Sequence, residues 1–238
     1  MTKEVFSKVV AEMTKEEARK EYPDGGLVLS VICRDLPGPN PIKGSKLHRN
    51  MYNQDYAWFR KSEARAFLPE KPIKGAKQKV PRDLVERLAR LHLVDLVRGH
   101  TSPFPLKAIK NANLTAEVID VKGNLVELRY KGRTYASEIH DGIHIEGKWN
   151  RPGPGIPKPE KRGVDSKLEG YAVYDQKTGK FISFNLVAVT KRWGGNVYNA
   201  RAQFLDFGPA PMGFVLSLAG DNVVEKVPPL FFRFYDWN

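Results

Sequence analysis

The chain has 238 residues, 41% hydrophobic and 28% charged, the composition of a compact globular protein; it excludes collagen-like, wholly disordered and membrane-embedded classes. Its 39 Lys and Arg against 27 Asp and Glu give a formal charge of +12, which attracts anionic partners and repels cationic ones. A single cysteine, Cys33, excludes an internal disulfide and a thiolate zinc site within one chain.

Along residues 3–21, Val5, Phe6, Val9, Val10 and Met13 recur at near-helical spacing, so an amphipathic helix is predicted. This opening holds no continuous apolar core of export-signal length, and no run in the chain approaches the ~18 apolar residues of a membrane span. A soluble protein is expected, with its compartment open and an exported mature form compatible with the sequence. The Asp24-Gly25-Gly26 turn leads into a buried strand from Leu27 to Cys33, where the cysteine reads as a small core residue. Tyr56-Ala57-Trp58-Phe59 predicts a second short strand, and Ser62 is placed to cap a helix over 63–68 that stops at Pro69. Lys71 to Val80 reads as a basic loop. Pro81 then opens the clearest helix, 82–98, with Leu84, Val85, Leu88 and Leu91 on one face and Gly99 as the stop.

From Leu114 the hydrophobic period changes to two, and turns at Gly123, Gly132 and Asp141-Gly142 predict a meander of antiparallel strands. Residues 147–166, with four prolines and four glycines, are expected to form a long surface loop. Strands are predicted again from Leu168 to Tyr174, Phe181 to Thr190, Val197 to Phe204 and Gly213 to Leu218. The aromatic tail from Pro228 is expected to be a last strand or a docking segment. The fold class is α+β: an antiparallel twisted sheet with a covering amphipathic helix and a smaller N-terminal strand-helix region. A single domain over 1–238 is expected, made of an N-terminal helix (1–26), a strand-helix region (27–112) and a β-rich body (113–238).

The segments Gly170 to Asp175, Phe181 to Ala188, Arg192-Trp193-Gly194 and Gly208 to Gly213, with Tyr52 to Pro69 and Pro81 to Gly99 upstream, resemble an uncharacterised bacterial protein family of planctomycete type. The resemblance implies no activity, and no functional residue follows from it. The hairpin of apolar strand, Asp175, Gly179, Phe181 and apolar strand is also similar to hairpins of curved-sheet carrier proteins.

No phosphate-cradling glycine loop, dinucleotide fingerprint, nucleophile elbow or His-Glu-x-x-His occurs. Asp206-Phe207-Gly208 spells the kinase magnesium triplet, but the companion kinase motifs are missing, so it reads as a turn before Pro209. His140 and His144 are too far apart on one strand to chelate together, and no metal or cofactor is implied. The excess charge is concentrated: residues 43–82 hold eleven Lys and Arg against Asp55, Glu63 and Glu70. Within it, Arg49, Tyr56, Trp58, Arg60, Lys61, Lys71, Lys74, Lys77 and Lys79 mix cations with aromatic rings, the pattern that neutralises phosphates and stacks on bases. The functional expectation is a non-enzymatic binding protein for an anionic polymer (nucleic acid or acidic glycan) or an anionic surface. Two alternatives stand beside it. One is a hydrolase or metal-dependent enzyme around His140 and His144, with Glu138, Asp141 or Glu146 supplying oxygen; the other is a β-sheet carrier of an apolar ligand.

Overall fold

A computed structural model describes residues 21–40, 42–140, 160–195, 199–201, 204–222 and 225–237, with the side chains of 140, 160 and 161 excepted. The predicted helix over 3–21, the Asp141-Gly142 turn and His144 lie outside these residues.

Eight strands form one antiparallel sheet: β1 (Leu27–Asp35), β2 (Tyr52–Phe59), β3 (Lys77–Lys79), β4 (Ile109–Lys122), β5 (Leu125–His140), β6 (Glu160–Asp175), β7 (Lys180–Trp193) and β8 (Ala210–Leu218). Their order is β2-β1-β8-β7-β6-β5-β4-β3, so the sheet is open, with β2 and β3 at its two ends. From β3 to β8 it is a meander; β1 then adds beside β8, which brings the start of the described chain against its end. The turns are tight because Gly123 and Gly179 adopt positive φ, +58° and +70°, which L side chains rarely take.

Alternation divides the sheet into two faces. On β7 the residues Phe184, Leu186, Ala188, Thr190 and Arg192 are buried, while Asn185, Val187, Val189 and Lys191 are exposed. The buried phase is the inner face. Leu114, Leu128, Tyr130, Phe184, Leu186, Phe214 and Leu216 carry it across the strands. Of the three short helices, α1 (Lys46–Asn50) buries no residue, α2 (Lys61–Arg65) buries Ala64, and α3 (Arg82–Arg87) buries Leu84 and Val85 and runs on into the buried Leu88, Leu91 and Leu93. Phe67, just past α2, seats its ring against Phe59 and Phe184 and accepts the Tyr130 hydroxyl hydrogen bond at 2.9 Å.

Several elements differ from their expected bounds. The helix predicted over 82–98 is α-helical only to Arg87, widens into a π-turn over Leu88–His92, and ends where Leu93 leaves helical geometry. Leu93, Val94, Leu96 and Val97 remain buried on all sides, so packing rather than an amphipathic stripe governs this segment, and the Asn53 side chain satisfies the Leu96 carbonyl at 2.8 Å. Helix α2 starts one residue before Ser62, with the Glu63 carboxylate accepting the Arg60 N–H. The loop expected over 147–166 is overtaken by β6 from Glu160 onward. Of the strand expected over 197–204, the described residues 199–201 and 204 form turns. The tail docks, with a short 3-10 turn at Phe232–Phe234, and does not join the sheet.

Candidate functional site

The outer face of the sheet is chemically divided. Strand register sets Lys79, Thr115, Lys131 and Glu169 in one cross-strand row, Asn113, Arg133 and Lys167 in the next, and Lys77, Glu117, Arg129 and Tyr171 in a third. Across β7, β8 and β1 the same rows continue as Val187, Val215 and Ile32, and as Val189, Gly213 and Arg34. Strands lie about 4.8 Å apart and same-face residues recur about every 6.8 Å along each strand, so these side chains form a dense grid. Its β3–β6 half is basic and its β7–β1 half carries Val187, Val189, Val215 and Ile32 with Arg34 and Lys191, Val189 being 57% and Tyr171 53% exposed near the border.

The acids on this face are engaged. Glu117 pairs with Lys77 at 3.5 Å and Arg129 at 2.7 Å, Glu169 with Lys131 at 3.4 Å, and Asp165 with Arg133 at 2.7 Å. Lys79, Lys167 and Lys191 have no ion pair among the described residues, so the face carries a cationic surplus. At one end of the strands Trp193 lies across Gly163 and beside Tyr135, with ring centroids 5.8 Å apart. A Cβ on Gly163 would stand 2.1 Å from that indole, so the missing side chain makes room for the ring.

The residues singled out from the sequence are not gathered in one place. Tyr56 and Trp58 belong to the same outer phase on β2, opposite Ser30 and Val28, but the tail roofs that end of the sheet. Trp58 is fully buried against Tyr22, Phe232 and Trp237, and Tyr56 is buried too, so neither ring is open to a base. Arg60 stacks its guanidinium on Trp237 at 4.6 Å and so helps to hold the tail. Arg49 is exposed on α1 and Lys61 on α2. Lys71, Lys74, Lys77 and Lys79 stand at the β3 end of the strand order, with six strands between it and β2; Lys74 is paired with Asp120 at 3.5 Å. Only Lys77 and Lys79 of that set project from a strand on the outer face. Side chains for the His140 and His144 site lie outside the described residues, and Glu138 holds Arg162 in an ion pair. Among the described residues no group of three His, Cys, Asp or Glu is arranged to hold a metal.

The most charged feature of the interior went unread in the sequence. Asp35 at the end of β1, Asp95, Arg98, Arg192 at the end of β7, Arg201 and Asp206 converge below the sheet. Arg201, wholly buried, donates to Asp35 through Nη1 and Nη2, each at 2.8 Å, to Asp95 through Nε at 2.8 Å and Nη2 at 2.9 Å, and to Asp206 through Nη1 at 2.9 Å. Arg192 reaches Asp206 at 2.8 Å and Arg98 reaches Asp35 at 3.0 Å. Burial would raise the Asp35 carboxyl, but the Arg201 hydrogen bonds and charge, with Arg192 and Arg98, hold it below its usual value. Burial, reinforced by the neighbouring Arg201 charge, lowers Arg98. Within this network Arg98 Nε and Nη1 and Arg192 Nε are buried without a hydrogen-bond partner among the described residues. One sequence signal for this network existed. Arg192 and Asp35 continue the inward phase of their strands, and an inward charge in an apolar row requires a counter-charge.

Beside the network lies a cavity of about 520 Å³ between the loop after β1 and the loop before β8. Its wall includes Leu36, Pro39, Ile42, Phe207 and Pro211 together with Lys43, Arg192, Asp35 and Asp206. Lys43 Nζ donates to the Leu205 carbonyl at 3.1 Å and so ties the two loops together.

A second buried arrangement fastens the tail. His92 Nδ1 lies 3.1 Å from Asp55 Oδ2, and its Nε2 lies 2.6 Å from Tyr235 Oη. A carboxylate only accepts, so Nδ1 donates to Asp55, and the Tyr235 oxygen, hydrogen-bonded to Nε2, also takes the Trp58 N–H at 3.1 Å. Burial pushes the Tyr235 hydroxyl far above its usual value. The strap covers the free edge of β2, an edge that would otherwise be open to pairing. Cys33 is buried as expected, and burial, with Asp95 nearby, pushes its thiol up to about 12.

No helix among the described residues is long and apolar enough to cross a membrane. Compared with protein-family models, with curated proteins and with solved structures, the chain has no significant match in any of the three, so the resemblance drawn from its motifs finds no support there.

Proposed function

We propose that this protein is a non-enzymatic binding protein whose ligand is an anionic polymer, single-stranded nucleic acid first, laid across the outer face of the sheet. The observation that carries the reading is the row structure of that face: Lys79, Lys131 and Lys167 project from β3, β5 and β6 beside the exposed ring of Tyr171. Cations on a rigid grid neutralise phosphates, while a ring standing among them offers a stacking surface that every base can use. Lys77 extends the basic half, and Val187, Val189 and Val215 give the bases an apolar floor. The reading keeps the ligand class expected from the composition and moves the stacking role away from Tyr56 and Trp58, whose rings the tail covers.

The test is fluorescence anisotropy of a labelled single-stranded oligonucleotide over a range of salt. Changing Lys79, Lys131 and Lys167 together to Glu is expected to weaken binding at least tenfold and to flatten the salt dependence by about two phosphate contacts, at roughly 0.7 in log–log slope each. Tyr171→Ala is expected to weaken binding about fivefold or more, the loss of one stacked base. Unchanged affinity in the triple variant would remove this face from consideration. Heparin binding that survives Tyr171→Ala while the oligonucleotide fails to bind would reassign the ligand to an acidic glycan.

A further inference from the structure

The cavity beside the buried ion network stands apart from the outer face, and its chemistry is specific. Its walls are mostly apolar, from Leu36, Pro39, Ile42, Phe207 and Pro211, and its polar groups are gathered at Lys43, Arg192, Asp35 and Asp206. The network alone is neutral, with Arg98, Arg192 and Arg201 against Asp35, Asp95 and Asp206. Lys43 adds one positive charge, and among the described residues its ammonium meets only the Leu205 carbonyl.

Hydrogen-bonding capacity is unbalanced in the same sense. Each of the three carboxylates accepts from at least one guanidinium, whereas Arg192 Nε and Arg98 Nε and Nη1 are buried without an acceptor among the described residues. Arg192 is part of the cavity wall. Arg98 Nη1 lies 3.3 Å from where a Cβ on Gly44 would stand, directly behind the loop that carries Lys43. The site therefore has one unbalanced positive charge, with the unpartnered donors buried behind its wall, next to an apolar space of the size that takes small ligands. A dianion would overcompensate, and a cation would add to the surplus.

We infer that this cavity binds a small monocarboxylate with an apolar body, its carboxylate set against Lys43 and Arg192 and its apolar part against Phe207, Pro211 and Ile42. The low dielectric around the buried ions strengthens such a contact relative to one on the open surface. No bond is made or broken; the role is recognition.

Isothermal titration with three probes of one chain length, octanoate, octanol and octylammonium, tests this. Octanoate is expected to bind with one-to-one stoichiometry, octanol at least tenfold more weakly, and octylammonium more weakly still. Lys43→Met, at an exposed position that leaves the core intact, is expected to lower octanoate affinity about tenfold, the loss of one charge-assisted contact, with no change in melting temperature. Ala210→Phe, which fills the cavity from its wall, is expected to abolish binding. The triple Glu variant of the outer face should bind octanoate as the unaltered protein does, which separates this site from the polymer surface. Absence of octanoate binding at roughly millimolar concentration, octylammonium binding as well as octanoate, or an unchanged affinity in Lys43→Met would each overturn the inference.

Discussion

Replacing Arg201 by Met measures what the buried ion network contributes. Arg201, wholly buried, makes five charge-assisted hydrogen bonds of 2.8 to 2.9 Å to the buried carboxylates of Asp35 and Asp206 and the half-buried carboxylate of Asp95. Met fills similar volume without charge, so the network changes from three against three to two arginines against three aspartates. The carboxylates are not affected equally. Asp35 keeps Arg98 at 3.0 Å and Asp206 keeps Arg192 at 2.8 Å, but Asp95 is left with Arg192 Nε at 4.0 Å as its nearest charge. Removing one partner of a buried ion cluster costs about 3–5 kcal/mol, most of it the penalty of the charge left behind. For a chain of this size each kcal/mol moves the melting temperature by about 2–4 °C, which predicts a fall of roughly 6–20 °C. Adding Asp95→Asn to Arg201→Met restores two against two and should recover more than half of the loss. A fall of less than about 3 °C, or a double variant no better than the single, would refute the reasoning.

Tyr235→Phe removes the hydroxyl that joins Trp58 N–H to His92 Nε2; two buried polar groups lose their partner, at about 1–3 kcal/mol each. A lower melting temperature and faster hydrogen exchange at the Trp58 amide are expected, and unchanged exchange there would show that the strap does not protect β2. Acid should destabilise the protein through the carboxyls held low. Burial works against Asp35 and Glu63, but Arg201 and Arg87 respectively outweigh it, so both titrate below their usual 3.8 and 4.5. Their stabilisation is complete above the unfolded values and is lost as pH falls through the depressed ones. Melting temperature followed from pH 6 downward should thus drop most steeply below about pH 4, and a profile flat to pH 3 would contradict the assignment.

The regular half of this fold was legible because its signals are local. The period-two alternation in β4 to β8 and the glycine turns at 123 and 179 depend on neighbours in the chain, and they gave an antiparallel sheet with a covering layer. The helix predicted over 82–98 shows the boundary of that logic. Up to Leu91 the apolar stripe is one-sided and helical; from Leu93 to Val97 burial on all sides lets tertiary packing set the backbone, and the helix ends.

Residues paired with distant segments could not be found in this way. Trp58 and Lys79 looked like members of one basic-aromatic surface because they are close in sequence, yet β2 and β3 terminate opposite ends of the sheet. Asp35, Asp95, Arg98, Arg192, Arg201 and Asp206 come from separate stretches of the chain, and only Asp35 and Arg192, in the inward phase of their strands, carry a local sign of burial. The sequence by itself determined the alternation, and with it which side chains of each strand share a face. The tertiary structure alone decided which strands become neighbours, which rings the tail covers and which charges lose their water, because those depend on closing long loops that no local preference encodes.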